Sequence, residues 1–277
     1  MPTFNTNIDA LKAQHALTSN NLNLSRSVAQ LSSGLRVNSA ADDAASLAIG
    51  SQMSAKILSL NQAVRNANDG ISMVQTADGA TLVMTNLLVR MRELAIQAAS
   101  DTYGDTDRAA MNTEFGELKS AVNGIIENTV WNGQKLLDGS VASATYQVGA
   151  RGEATEGVSV DFADWASGGA NELKVLTATG LTTRPDAQTA MGDLEDDLAT
   201  INAQRASWGA AMNRLSHAAD SSANVAMNLS TSKSQLLDAD YAKATADLAR
   251  AQIIQAAGTA MLSQANQQGV MVLHLLS

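Results

Sequence analysis

Any chemistry in this chain would have to come from carboxylates and a few histidines. It has no cysteine and three histidines, His15, His217 and His274. Without cysteine there is no disulfide, no thiol nucleophile and no Cys-based metal site. The histidines stand far apart, none has a second ligand beside it in sequence, and His15 reads as a partly exposed helix residue. Two carboxylate pairs remain, Asp42-Asp43 and Asp196-Asp197. Neither is accompanied by a phosphate-binding loop, a Gly-x-Ser-x-Gly elbow or a metalloprotease helix motif. Asp42-Asp43 reads as charge at a helix start and Asp196-Asp197 as a solvent-face pair. No enzyme, cofactor or metal is expected.

The elements that hold these residues are long helices, and one stretch organises them. Leu31 to Gly50 contains a helix end, a short break and a helix start. Gly34 can take the left-handed conformation that closes a helix. Ser39 can cap the next one by accepting from its free N–H groups. Asp42 and Asp43 then meet the positive end of the helix dipole.

Composition agrees. Of 277 residues, 3% are aromatic and 16% charged, so there is little material for one thick core and more for long helices packed along their length. The net charge of −9 argues against nucleic acid and anionic membrane as partners. Met1 to Asn7 has neither the basic region nor the apolar run of a secretory signal, which on composition alone points to the cytoplasm. The stretch after Arg250 lacks Lys, Arg, Asp and Glu but is broken by Gln and Asn, so no membrane insertion is expected.

The spacing predicts a first helix over 8–33, with Leu17, Leu24 and Leu31 at heptad positions and Val28 and Leu35 on the alternate ones. Gln14 and Asn21 fall on that seam. A second helix runs from Ala40 to about Ser100. Its early seam (Ile57, Leu60, Val64, Ala67, Ile71, Val74) and later seam (Met84, Leu87, Met91, Leu94, Ala98) are out of phase, which implies a stutter at 76–80. Gly70 and Gly79 are carried within it, and a break at Gly79 is the alternative. Met111, Phe115, Leu118, Val122 and Ile125 mark a third helix, ended by a turn at Trp131-Asn132-Gly133.

From Gln134 to about Arg184 the helical period vanishes, and 144–148 and 157–162 read as short strands. Pro185 can open the next helix at its first position. Leu194, Ile201, Trp208, Leu215 and Leu229 then recur in heptads over 186–232, with Arg205 interrupting the alternate row. The last helix, to about Gln268, has Tyr241, Leu248 and Leu262 alternating with Ala244, Ala251, Gly258 and Ala265, and Gly269 is expected to break it. The fold expected is mainly α: long antiparallel helices in a coiled-coil-like bundle from both ends of the chain, with a small β-hairpin region in the middle. The expected divisions are 1–40 with 238–277 as a terminal helix pair, 41–133 with 185–237 as a long-helix bundle, and 134–184 as the β-rich segment.

Four separated stretches resemble bacterial flagellins: Asn5-Thr6-Asn7 with Ala10-Leu11; Leu31 to Ile49; Arg92 to Ala99 with Asn132 to Gly139; and a carboxy-terminal set including Asn213-Arg214-Leu215, Asp238-Ala239-Asp240 and Gln264-Ala265-Asn266-Gln267. Ala41, Gly269, Ser277 and Phe4 depart from the common pattern. The resemblance implies a structural subunit that polymerises into the helical filament of the flagellum, secreted without a cleaved signal. It implies an inner tube of terminal helices and an outward β-rich middle. The subunit interface then falls on Leu11, Leu17, Leu24, Val28 and Leu31 of the first helix and Tyr241, Leu248, Ile254, Met261 and Leu262 of the last. The implied partners are further copies, an export chaperone, and cap and hook-junction proteins. In some flagellins the stretch matching 88–97 is read by a host innate receptor; Arg90, Leu94 and Glu114 match the positions used, while Val89 departs from the usual Gln.

Two other readings stand beside this one. A hook–filament junction protein shares such ends, although the third stretch argues against it. A cell-surface binding module would use Trp165, Phe162 and Tyr146 to line a ligand groove, against the plainer reading that they pack the hairpins onto the bundle.

Overall fold

The computed structural model describes residues 6–150, 156–166, 168–169 and 171–276, with side chains described as far as residue 267. Phe4, Asn5, Arg151, Gly152, Ser277 and the His274 side chain lie outside the described set. The elements in chain order are α1 (Ile8–Ser33), α2 (Ala40–Ala98), α3 (Asp105–Asn128), β1 (Val130–Trp131), β2 (Gln134–Lys135), β3 (Ser143–Gln147), β4 (Gly157–Asp161), α4 (Lys174–Thr177), α5 (Arg184–Leu237) and α6 (Tyr241–Leu276). The mainly helical architecture with small antiparallel strand pairs between the helices is the one the sequence predicts. The chain divides into two compact units, 1–57 with 227–277, and 58–226.

The second unit has the larger core. Along α2 the buried residues Leu60, Ala67, Val74, Thr81, Leu88 and Ala95 recur every seven, alternating with Ala63, Gly70, Ala77, Met84, Met91 and Ala98. This is one phase from end to end, so the expected stutter at 76–80 is absent. Ala77 and Thr81 carry the seam, Thr81 being fully buried with its hydroxyl donating to the Asp78 carbonyl at 2.8 Å. Nor does the helix break at Gly79, whose cost of about 1 kcal/mol relative to Ala the packed seam offsets. At Gly70 the missing side chain has a use, since a Cβ there would stand 2.9 Å from the Tyr146 ring.

Helices α3 and α5 pack against α2, with Phe115, Val122 and Ile126 of α3 and Leu194, Ile201, Trp208 and Leu215 of α5 all buried. The first two strands form a two-residue hairpin about Asn132-Gly133, and β3 pairs with β4 in antiparallel register from Ser143↔Asp161 to Gln147↔Gly157. Helix α5 starts one residue before its proline. Thr183 caps it through a reciprocal pair of bonds with Asp186, so Pro185 occupies the second helical position rather than the first.

The first unit is built on α1 and α6. Gly34 closes α1 with φ 71°. The two connections beside it are joined by an antiparallel bridge, Leu35↔Asp238, with the Arg36 amide donating to the Leu237 carbonyl at 2.7 Å. Helix α6 continues to Leu276, so Gly269 does not end it. A single glycine in a helix interior is a modest penalty, and no proline follows.

Candidate assembly surface

Helices α1 and α6 run antiparallel along one seam. The seam takes Ala10, Ala13, Leu17, Asn20, Leu24, Ser27 and Leu31 of α1 and Ala244, Leu248, Ala251, Gln255, Gly258, Leu262 and Ala265 of α6, all buried or half-buried, and Gln30 and Asp247 are half-buried as well. The leucine row of α1 faces the small row of α6: a Cβ on Gly258 would lie 2.7 Å from Leu17 Cδ2. Close approach brings backbone within reach of short side chains. Asn20 Nδ2 donates to the Ala251 carbonyl at 2.8 Å and Asn7 Nδ2 to the Ala265 carbonyl at 2.9 Å. The Tyr241 hydroxyl donates to the Leu31 carbonyl at 3.2 Å.

The alternate row of α1 is therefore not the expected one. Gln14 and Asn21 face away, Val28 is 50% exposed, and the polar seam residues are Asn20 and Ser27, one position earlier. The signal lay in α6: a row of Ala and Gly leaves a shallow slot that small and polar side chains fill. Of the ten residues expected at the subunit interface, Leu17, Leu24, Leu31, Leu248 and Leu262 sit in the seam within the chain. Leu11, Val28, Tyr241, Ile254 and Met261 remain exposed, Leu11 at 56% and Met261 at 63%.

At the start of α2 the two aspartates do different jobs. Asp42 accepts from the Asn38 and Ser39 amides and from the Ser39 hydroxyl, so Ser39 donates rather than accepting as expected. Asp43 is extended (φ −163°) and caps the long helix by accepting from the Ser46 amide and hydroxyl. These bonds, led by the Ser39 hydroxyl for Asp42 and the Ser46 hydroxyl for Asp43, hold both carboxyls below the usual 3.8.

The second pair is also split. Asp196 is exposed and binds Lys174, but Asp197 is 3% exposed, so the solvent-face reading fails for it. Its carboxylate accepts the Lys174 and Val175 amides at 2.9 and 2.8 Å and caps α4, a turn the sequence did not announce. Burial pushes the Asp197 carboxyl up, against the pull of those amides.

The aromatic residues of the middle do not line a groove. Trp165 and Phe162 are 1% and 6% exposed, and both rings lie 6.1 Å from Trp208. Trp208 Nε1 donates to the Asp161 carbonyl at 2.9 Å. Tyr146 is half-buried, its hydroxyl on Met73 Sδ at 2.8 Å. On α2, Arg90 reaches Glu114 of α3 through Nε and Nη2 at 2.9 and 2.8 Å, and both side chains are about half exposed, whereas Leu94 is 2% exposed. Among the described residues no group of acidic or histidine side chains could hold a metal, and no helix is long and apolar enough to cross a membrane.

Comparison with known proteins agrees with this geometry. The family described as bacterial flagellin N-terminal helical region matches residues 4–142, and that described as bacterial flagellin C-terminal helical region matches residues 191–276. A flagellin of Halalkalibacterium halodurans is 39% identical over 273 residues, spanning 98% of each chain. One of Bacillus subtilis is 36% identical over 305 residues, spanning 98% of this chain and 99% of that one. The crystal structure of Bacillus cereus flagellin superposes with a TM-score of 0.51 at 31% identity, covering 57% of this chain and 88% of that chain. Helices at both ends and apolar side chains left open on the terminal pair fit one role. The chain belongs to the bacterial flagellin family: it is a structural subunit, not an enzyme, and it polymerises with further copies of itself into the extracellular flagellar filament.

Proposed function

We propose that the α1–α6 pair is the polymerisation element of the filament. On this reading residues 1–40 with 238–277 form the inner core, 41–133 with 185–237 a surrounding bundle, and 134–184 an outward segment. The observation that carries it is the apolar surface the pair leaves open: Leu11, Val28, Ile254 and Met261 are 45–63% exposed. Ile8, Leu22 and Ile253 add to it. Surface of this kind marks an interaction site, and other copies supply the cover.

The two groups of interface residues then separate. Leu17, Leu24, Leu31, Leu248 and Leu262 hold the pair together, and Leu11, Val28, Tyr241, Ile254 and Met261 meet neighbouring copies. Leu11→Asp and Met261→Asp should retain wild-type helicity yet fail to form filaments, because a charge would be buried unpaired on assembly. Leu24→Asp and Leu262→Asp should lose helicity in the pair as well. Circular dichroism with electron microscopy of salt-precipitated protein distinguishes them. Wild-type filament yield from Leu11→Asp and Met261→Asp would remove these helices from the interface.

The flagellin likeness extends the proposal to secretion through a dedicated export apparatus, with an export chaperone, a cap and hook-junction proteins as transient partners. A host innate receptor is a further partner by likeness. Arg90 and Glu114 offer it an exposed, mutually oriented pair, and Leu94, buried beneath, acts by packing. Reporter cells given monomer should lose their response on Arg90→Ala; an unchanged response would end that assignment.

A further inference from the structure

The loop between β1 and β2 is Asn132-Gly133, and both residues are exposed. An asparagine followed by glycine carries the reagents for its own modification. The Gly133 backbone nitrogen bonds to Asn132 Cγ, the Cγ–Nδ2 bond breaks, and the amide proton leaves with Nδ2 as ammonia. Water then opens the five-membered succinimide at either carbonyl, leaving aspartate or isoaspartate. Glycine permits the attack because no Cβ crowds its nitrogen. The chain has two such steps, Asn123-Gly124 and Asn132-Gly133. The first lies inside α3, where helical backbone bonds and the Asn123 Nδ2 bond to Glu127 Oε1 at 2.8 Å hold it. The second is held only by its turn.

That turn withholds the nitrogen. Asn132 has φ 46° and Gly133 φ 80°, and Trp131↔Gln134 closes the pair across them. Two positive φ values in a two-residue hairpin loop make a type I′ turn. Its first loop residue has ψ of about +30°, which swings the next nitrogen to the side of the Cα–C bond away from Cβ. Asn132 must rotate far about that bond before Gly133 N meets Cγ, and the rotation opens the Trp131↔Gln134 pair. The hairpin resists from its base. The Leu136 amide donates to the Thr129 carbonyl at 3.1 Å, and the Trp165 amide to the Leu137 carbonyl at 3.0 Å. Leu136 and Leu137 are both fully buried in the core.

We propose that Asn132-Gly133 is a self-modification site that the folded hairpin holds in check, and that its isoaspartate product bars the hairpin from closing again. The two products part at this turn. Aspartate leaves the main chain as it was, and Asp-Gly is itself a favoured type I′ pair. Isoaspartate reroutes the main chain through Cβ and Cγ. It adds one methylene to a loop whose closure allows two residues, so Trp131 and Gln134 no longer meet in register. A chain that folds promptly keeps Asn132 intact. A chain that stays open gains a permanent change at the hairpin that seats Leu136 and Leu137. The reaction consumes water alone and needs neither a partner nor contact between copies.

The full-length chain tests this. Asn123→Gln suits α3 and leaves Asn132-Gly133 as the single Asn-Gly step. That variant is kept in mildly alkaline buffer with and without concentrated urea. Mass spectrometry of the peptide spanning 129–137 follows conversion at Asn132, and an isoaspartyl methyltransferase used as a reagent counts isoaspartate. Conversion should be at least about tenfold slower in the folded chain, because only the open fraction reacts. After urea is removed, chains carrying isoaspartate should exchange the amide hydrogens of 134–136 freely. Freshly prepared Asn132→Asp in the same background should protect them as Asn132 does. Circular dichroism checks that the long helices have returned in both. Equal conversion with and without urea would overturn the proposal, as would no conversion in urea. Full protection of 134–136 in the isoaspartate chains would overturn the claim that the hairpin cannot close again.

Discussion

Arg205 Nε lies 2.7 Å from Asp78 Oδ1, so the cation that interrupts the apolar row of α5 is met by a carboxylate from the Asp-Gly step of α2. Both side chains are about one-third exposed. The pair is therefore partly screened, and a double-mutant cycle of Arg205→Ala and Asp78→Ala should return a coupling of about 1 kcal/mol that shrinks with salt. Urea unfolding of the four proteins measures it, and a coupling near zero would leave the contact as geometry alone.

Gly70 sits in the seam under the Tyr146 ring, with room for no more than hydrogen. An alanine at an open helix position would stabilise by up to about 1 kcal/mol. Here Gly70→Ala should destabilise by about 1–3 kcal/mol, because the ring must move and the β3–β4 pair moves with it. At Gly79 nothing lies within 4 Å of the same added carbon. Gly79→Ala should therefore stabilise by about the propensity difference, roughly 1 kcal/mol. Thermal melts of the two variants should shift in opposite directions.

The acid response follows from the buried and capping carboxylates. Asp42 and Asp43 have folded pKa values lowered by their serine partners. For them the unfolded chain binds protons more readily, so their contribution is complete above 3.8 and is lost as pH falls through their lower folded values. Asp197 has the opposite sign. Its folded value is raised by burial, so stability falls as pH rises through the window between 3.8 and that raised value. Asp43→Asn should flatten the low-pH loss of helicity and Asp197→Asn the opposing slope just above it, both read from melting temperature against pH. Unchanged profiles would mean that neither carboxylate contributes to the acid response.

Most of the architecture was legible because the helices are long and their seams apolar. The terminal pair, the small-residue row of α6 and the hairpin strands stand where spacing puts them. What escaped was polar or small. The α2 seam looked broken because Gly70, Ala77 and Thr81 carry it, and Thr81 hides its hydroxyl on a carbonyl of its own helix. Val28 outranked Ser27 on hydropathy, yet the slot opposite Ala244 and Ala251 takes Ser27 and leaves Val28 in solvent. Asp197 looked like surface charge because its partners are amides of α4, a turn of four residues with no period of its own. The exposed apolar side chains were legible only as helix residues, since spacing does not say which face a second molecule will cover.

The asparagine bonds across the terminal pair end on main-chain carbonyls of Ala251 and Ala265, not on side chains. They work as a ruler that does not depend on what residue 251 or 265 is. Sliding α1 by one heptad would bring Ala13 or Ser27 to the place of Asn20, the first without a donor and the second too short to span the gap. The pair has one alignment, and every molecule presents the same edge at the same height. Identical edges of that kind are what a repeating polymer of one chain requires.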